Sequence, residues 1–263
     1  MAQAEGRKLQ VLDAWNLTPN MRRIVLAGDD LHGFPEDSES GYIKLIFPDA
    51  PRPRPDRPAM RTFTVRAFDE AQNRLTVDFA LHDDLDGTTS GPAAVWARNA
   101  KVGDDILIAG PGKIKWIDTS SDWLLLAGDM TALPALLCNL EALPADAKGE
   151  VIMEVTSAED APEVTLPGGM NLHVILNPHP DGTSTAFVDH IQSLTWRDGT
   201  VSVWAACEFK SMQQLRTYFR NERGVDRTKI YLSSYWKAGV AEDEHKKIKG
   251  EDAARLQELE AAG

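Results

Sequence analysis

The chain is poor in the residues that build disulfides and metal sites. Its only two cysteines, Cys138 and Cys207, each sit in an apolar run and form no closely spaced pair. Buried free thiols are expected, not a disulfide framework or a thiolate site. The six histidines, His32, His82, His173, His179, His190 and His245, lack the spacing of a zinc or iron site, so no protein-bound metal is expected. No apolar run approaches the roughly 20 residues of a membrane helix, and the start MAQAEGRKLQ lacks the apolar core of a signal peptide. A cytoplasmic protein without membrane insertion is expected. Basic residues are also the minority: 28 Lys and Arg against 40 Asp and Glu give a net charge of -12, which repels nucleic acid at long range. The first apolar strand of the second half is not followed by G-x-G-x-x-G, so the standard dinucleotide fingerprint is absent.

Against this acidic background the stretch Pro51 to Arg66 reverses sign, with Arg52, Arg54, Arg57, Arg61 and Arg66 against the single acid Asp56. A local reversal of this kind suggests a bound anion. Its second part, Arg61-Thr62-Phe63-Thr64-Val65-Arg66, reads as a strand with Arg61, Phe63 and Val65 on one face and Thr62, Thr64 and Arg66 on the other. Arginine, aromatic ring and hydroxyl side by side suit a phosphate joined to a flat ring. An edge strand with charged ends is the alternative from these residues alone.

From about residue 10 to 117 the pattern is short strands with polar turns. Strands are expected at Leu9 to Asn16, Arg22 to Ala27, Tyr42 to Phe47, Arg61 to Phe68, Arg74 to Leu81 and Asp105 to Ala109, a six-stranded antiparallel barrel. One helix interrupts it, starting Gly91-Pro92-Ala93-Ala94, with Ser90 or Gly91 as cap and Pro92 at the first helical position. Unpaired amides and the helix dipole make such a start a natural phosphate site.

After Asp118 strands and helices alternate and the strands are apolar on both faces, as in a parallel sheet covered on both sides. The strands expected are Trp123 to Ala127, Glu150 to Thr156, Leu172 to Leu176, Val201 to Ala206 and Lys229 to Ser233. Helices are expected at Thr131 to Glu141, Ala186 to Leu194 and Ser211 to Arg223. Ligands bind beyond the carboxyl ends of such strands, so Asp129 to Thr131, Ala206 to Glu208 and Ser234 to Lys237 are expected on one rim. The tail from Ala241 to Ala262 has helix formers but only Leu256 and Leu259 as a narrow apolar stripe, which predicts a mostly exposed helix. The division expected is a barrel over 1–117, an α/β domain over 118–240 and a helical tail over 241–263.

The order of these features resembles the ferredoxin-NADP reductase superfamily and, within it, the siderophore-interacting proteins, flavin-dependent ferric-siderophore reductases. The matching segments are Arg57-Pro58 with Arg61 to Arg66, Asp78-Phe79-Ala80-Leu81-His82, Gly91-Pro92-Ala93-Ala94-Val95-Trp96, Gly128 to Ala135, Trp204 to Glu208 and Ser233 to Gly239. The resemblance implies FAD bound by the barrel. Arg61 would pair with a phosphate, Phe63 would pack on the isoalloxazine, and Thr64 and Val65 would touch the ring edge. His82 would lie near the adenine and ribose, and the helix start at Gly91 to Ala94 would receive the pyrophosphate. Thr62, Arg66, Asp78, Phe79, Leu81, Trp96, Thr131 and Trp236 complete the implied cofactor contacts.

A ferric siderophore, commonly an anionic chelate, would meet Lys44, Lys113 or Lys115, and Lys237. Electrons would come from NAD(P)H, entering by Thr131 and Glu208, or from reduced ferredoxin. Two departures stand out: Phe63 replaces a frequent tyrosine, and Met130 a frequent acidic residue. The alternatives are a general NAD(P)H or ferredoxin flavin oxidoreductase and a redox-inactive siderophore carrier.

Overall fold

The computed structural model describes residues 6–51, 57–81 and 91–261. His82, Ser90, Arg52 and Arg54 lie outside the described residues. The first sheet contains β1 (Arg7–Thr18), β2 (Met21–Ala27), β3 (Tyr42–Phe47), β4 (Ala59–Thr64), β5 (Ala67–Asp69), β6 (Arg74–Ala80) and β7 (Asp105–Ala109), with α1 (Pro92–Asn99) between the last two. Its order is β4-β3-β7-β1-β2-β6-β5, and every pairing is antiparallel. Alternate residues point inward, so Leu9, Val11, Ile24, Leu26, Ile43, Leu45, Leu75, Val77, Ile106 and Ile108 form one buried core, each contributing about 1.5–3 kcal/mol by burial if fully removed from water.

The expected strand at 61–68 is divided in two, so the sheet has seven strands and not six. The Val65 amide donates to Gly41 O at 2.8 Å, beside β3, whereas the Arg66 amide donates to Thr76 O at 3.0 Å, on β6. The chain thus passes from one edge of the sheet to the other within two residues, and this kink brings the two sheet edges together.

The second sheet is parallel throughout, in the order β10-β9-β8-β11-β12. Its strands are β8 (Trp123–Gly128), β9 (Lys148–Val155), β10 (Gly169–Leu176), β11 (Val201–Glu208) and β12 (Ile230–Trp236), with α2 (Leu133–Glu141), α3 (Ala186–Ser193) and α4 (Phe209–Thr217) as crossovers. β8 and β11 are buried along their whole length, as central strands covered on both faces must be. Strand order reverses between them, which places the switch point beside Gly128 and Ala206.

Finally α5 (Glu242–Ala261) follows β12. It docks less through apolar contact than through polar bonds: His245 Nε2 lies 2.9 Å from Ser234 Oγ, Lys249 donates to Ser234 O at 2.9 Å, and Asp252 accepts from Arg216 and Gln213. Leu256 is half-buried.

Polar contacts tie the two sheets together. Trp204 Nε1 donates to Lys115 O at 2.8 Å and the Ile117 amide to Asn139 Oδ1 at 2.8 Å. Asp160 accepts from Thr18 and Asn20 of the first sheet. Among the described residues no helix is long and apolar enough to cross a membrane.

Candidate functional site

β4 is an edge strand, paired only with β3, so every second amide on its outer side has no sheet partner. Thr62 shows this directly: its amide and hydroxyl donate to the two oxygens of Glu242 at 2.9 and 2.6 Å. Arg61, next to it, donates to Met60 O at 2.8 Å and reaches Asp243 at 3.4 Å. Its Nε also lies 4.0 Å from where a Cβ on Gly91 would stand, so the guanidinium borders the start of α1. There the Gly91 carbonyl accepts from Ala94 and Val95 and Pro92 has no amide hydrogen, so the Ala93 amide is the first-turn donor left without a partner inside the helix. An arginine, an outward edge amide, a hydroxyl and a helix start therefore share one corner of the barrel.

This donor set fits a phosphate-bearing cofactor. The Glu242 carboxylate, itself an anion, is already seated on two of the donors.

Behind this corner runs an aromatic row. Phe63 packs on Phe79 with ring centroids 4.4 Å apart, and Phe79 on Trp96 at 5.8 Å. Phe79 is fully buried, so the row is anchored in the core and holds Phe63 in one orientation.

Other expected contacts fall elsewhere. Thr64 and Val65 are buried, and the Val65 backbone is bonded to Gly41 and Ser40. Leu81 is half-buried, and its amide donates to Asn20 O at 2.8 Å. Asp78 is buried and takes a bidentate pair from Arg23, both bonds 2.7 Å. Arg66 lies 3.8 Å from Asp78 and forks onto Glu141 at the end of α2. Arg66 and Asp78 thus line a cleft of about 640 Å³ between the sheets, with Arg23, Leu133 and Glu141. Arg66 joins the domains through Glu141, Asp78 holds Arg23 within the barrel, and neither is brought to the Arg61 corner.

Lys44 pairs across the strands with Thr62, on the same face. Burial pulls its pKa down, the Lys246 charge adds to this, and Glu242 and Asp243 oppose it. Lys113 and Lys115 are exposed in the segment after β7. In that segment Gly112 lies under the Tyr42 ring, and a Cβ there would stand 2.0 Å from it, so any larger residue would displace the ring. Lys237 is turned to the Phe209 ring, 5.1 Å from its centroid, a cation–π contact.

At the switch point Asp129 is the joint. It is buried and accepts from Thr131 Oγ1 at 2.6 Å and from Trp236 Nε1 at 2.7 Å. Burial raises its pKa against the pull of these donors. Thr131 and Trp236 are therefore brought together by Asp129. Glu208 caps α4 through the Lys210 and Ser211 amides and also takes the Ala238 amide at 3.3 Å. Its carboxylate is engaged in holding the rim.

Sequence reasoning did not pick out Glu242 and Asp243. Three acids at a helix start read as complements to the helix dipole, and nothing local shows that β4 lies opposite.

Comparison with known proteins decides the family. The profile described as siderophore-interacting protein matches residues 121–239, and that described as siderophore-interacting FAD-binding domain matches 10–56 and 49–115. The chain belongs to the siderophore-interacting protein family. Within that family it is 32% identical to the ferric vibriobactin reductase ViuB of Vibrio cholerae, over 86% of this chain and 88% of ViuB. The crystal structure of the siderophore-interacting protein SipS from Aeromonas hydrophila superposes with a TM-score of 0.82 at 31% identity, covering 95% of this chain and 99% of SipS. Ferredoxin-NADP+ reductase of Plasmodium falciparum shares the fold alone, with a TM-score of 0.60 at 14% identity over 85% of this chain and 93% of that one. This siderophore-interacting protein thus shares the overall fold of that reductase.

Proposed function

We propose that the chain is a cytoplasmic FAD-dependent oxidoreductase that reduces ferric siderophores and so releases their iron. The observation that carries this is the convergence of Arg61, the outward Thr62 donors and the α1 start on one barrel corner, backed by the Phe63-Phe79-Trp96 row. The family profile over the barrel, that of an FAD-binding domain, and the reductase name of ViuB support it.

The chemistry that FAD supplies when bound is transfer of electrons, taken from a reduced donor, to chelated ferric iron. Arg61 and the Ala93 amide at the start of α1 bind phosphate, where a guanidinium and a helix start act together. Thr62 offers two donors at the strand edge. Phe63, held by Phe79, limits where a flat ring can lie. Asp129 fixes Thr131 and Trp236 at the rim where NAD(P)H or a ferredoxin approaches. Lys44 places a positive charge on the face where an anionic chelate docks, with Lys113, Lys115 and Lys237 as further candidates. No side chain is assigned as acid, base or nucleophile, since electron transfer to a chelate needs none.

The test is to load the purified protein with FAD and reduce it anaerobically with NADH, NADPH or reduced ferredoxin. It is then mixed with ferric hydroxamate and ferric catecholate chelates in the presence of a ferrous trap. Reduction by at least one donor followed by ferrous iron capture is expected. A protein that takes up no FAD sinks the proposal, and one that takes it up but never reduces a chelate leaves the carrier alternative.

A further inference from the structure

The phosphate corner is occupied by the chain's own carboxylates. Glu242 spans the amide and hydroxyl of Thr62, and Asp243 reaches Arg61. Lys246, one turn on, donates to the same Glu242 oxygen that takes the Thr62 hydroxyl. Glu242 is largely covered: burial opposes its ionisation, but the bonds from Lys246 and Thr62 outweigh burial and keep its pKa below the ordinary range. It is therefore a charged ligand at neutral pH.

The rest of α5 is fastened to the other domain. His245 meets Ser234, Lys249 meets Ser233 and Ser234, and Asp252 forks onto Arg216. The barrel is met by Glu242, Asp243 and, beside Lys44, Lys246, and the 3.4 Å contact of Asp243 to Arg61 is long for a charged pair. A cofactor pyrophosphate brings two negative charges to the same arginine. Four negative charges cannot share Arg61, Thr62 and the start of α1 without strong repulsion.

We propose that the first turn of α5 is an intramolecular occupant of the cofactor's phosphate station, and that Glu242 and Asp243 leave Arg61 and Thr62 when FAD binds. The inference rests on the proposed FAD function. FAD affinity is then set partly by the latch, since apparent affinity falls by the fraction of molecules in which the station is open. Release costs little at the helix side, because Glu242 then turns to water and keeps its Lys246 partner four residues on.

The experiment titrates FAD into flavin-free full-length protein, wild type and Glu242→Gln/Asp243→Asn, by quenching of flavin fluorescence. It also follows hydrogen exchange over residues 240–250 with and without FAD. The variant is expected to bind FAD at least about tenfold more tightly, as for a station closed in nine molecules of ten. In the wild type the amides at 245–247, which bond the carbonyls of the first turn, are expected to lose protection when FAD binds, while those near Lys249 and Asp252 keep theirs. Equal or weaker FAD binding by the variant overturns the latch, as does gained protection at 245–247, which marks α5 as a brace over the cofactor. If neither protein binds FAD, the proposed function itself falls, and the latch falls with it.

Discussion

Replacing Asp160 by alanine should loosen the joint between the two domains. Asp160 is 1% exposed and accepts five hydrogen bonds: from Thr18 Oγ1 at 2.7 Å, the Asn20 amide at 2.9 Å, Asn20 Nδ2 at 2.8 Å, the Ser157 amide at 3.0 Å and Ser157 Oγ at 2.8 Å. The first three come from the end of β1 and the turn that follows it, so one carboxylate in the α/β domain holds the barrel. A hydrogen bond to a charged group contributes about 1.5–3 kcal/mol. Three bonds on one acceptor are not additive, and water entering the cleft re-satisfies some donors, so a loss of about 3 kcal/mol is expected.

Asp160→Asn should recover little, because its amide group turns a donor toward donors. Burial opposes ionisation of Asp160, and the bonds from Asn20, Thr18 and Ser157 outweigh it, so the folded pKa lies below the ordinary value. The stability it contributes is therefore present above the unfolded pKa and lost as pH falls through the folded one. Asp160→Ala should lack that part of the acid sensitivity. Urea unfolding of wild type and both variants at neutral and acid pH measures this. A loss below about 1 kcal/mol for Asp160→Ala would refute the assignment of Asp160 as the joint.

Glu154 should act in the opposite pH direction. Burial, with the Asp129 charge adding and Asn177 opposing, raises its pKa to about 7. Its folded pKa is above the unfolded one, so stability is full below the unfolded value and is lost as pH rises through about 7. Glu154→Gln should therefore stabilise by about 2–3 kcal/mol in mild alkali and have little effect in acid, read from melts at the two pH values. Arg61→Ala should weaken FAD binding about 10- to 100-fold, the loss of one charge-assisted phosphate contact, measured by fluorescence titration. Cys138, whose pKa burial pushes up to about 11, and Cys207, raised well above the ordinary thiol value by burial, should resist a thiol reagent at neutral pH until the protein is unfolded. A thiol count on native and denatured protein checks this.

The strands of the barrel were legible because they alternate: Ile43 and Leu45 point in while Lys44 points out. β8 and β11 were legible for the opposite reason, as unbroken apolar runs that need cover on both faces. The kink at Val65-Arg66 was not legible. Alternation continues through it, and only the partners of its two amides, Gly41 and Thr76, show that the strand changes neighbours. The same limit applies to the site. Arg61, Phe63 and Gly91 carry local chemistry that a sequence displays, and the fold brings them to one corner. Arg66 and Asp78 carry similar chemistry in the same segments, yet the fold turns them into the cleft toward Glu141 and Arg23.

What the sequence by itself determined is therefore the inventory: an acidic chain with a basic, aromatic strand, a helix start suited to phosphate, and a parallel sheet without the glycine fingerprint. Hydrophobic period, turn residues and caps act over a few residues, so they are written where they act. Tertiary structure alone decided which charges meet. It paired Asp160 with a turn 140 residues away, and set Glu242 and Asp243 on Thr62 and Arg61 across a separation of 180 and 182 residues. Charge contacts depend on distance in space and on burial, and neither is a property of any local stretch of chain.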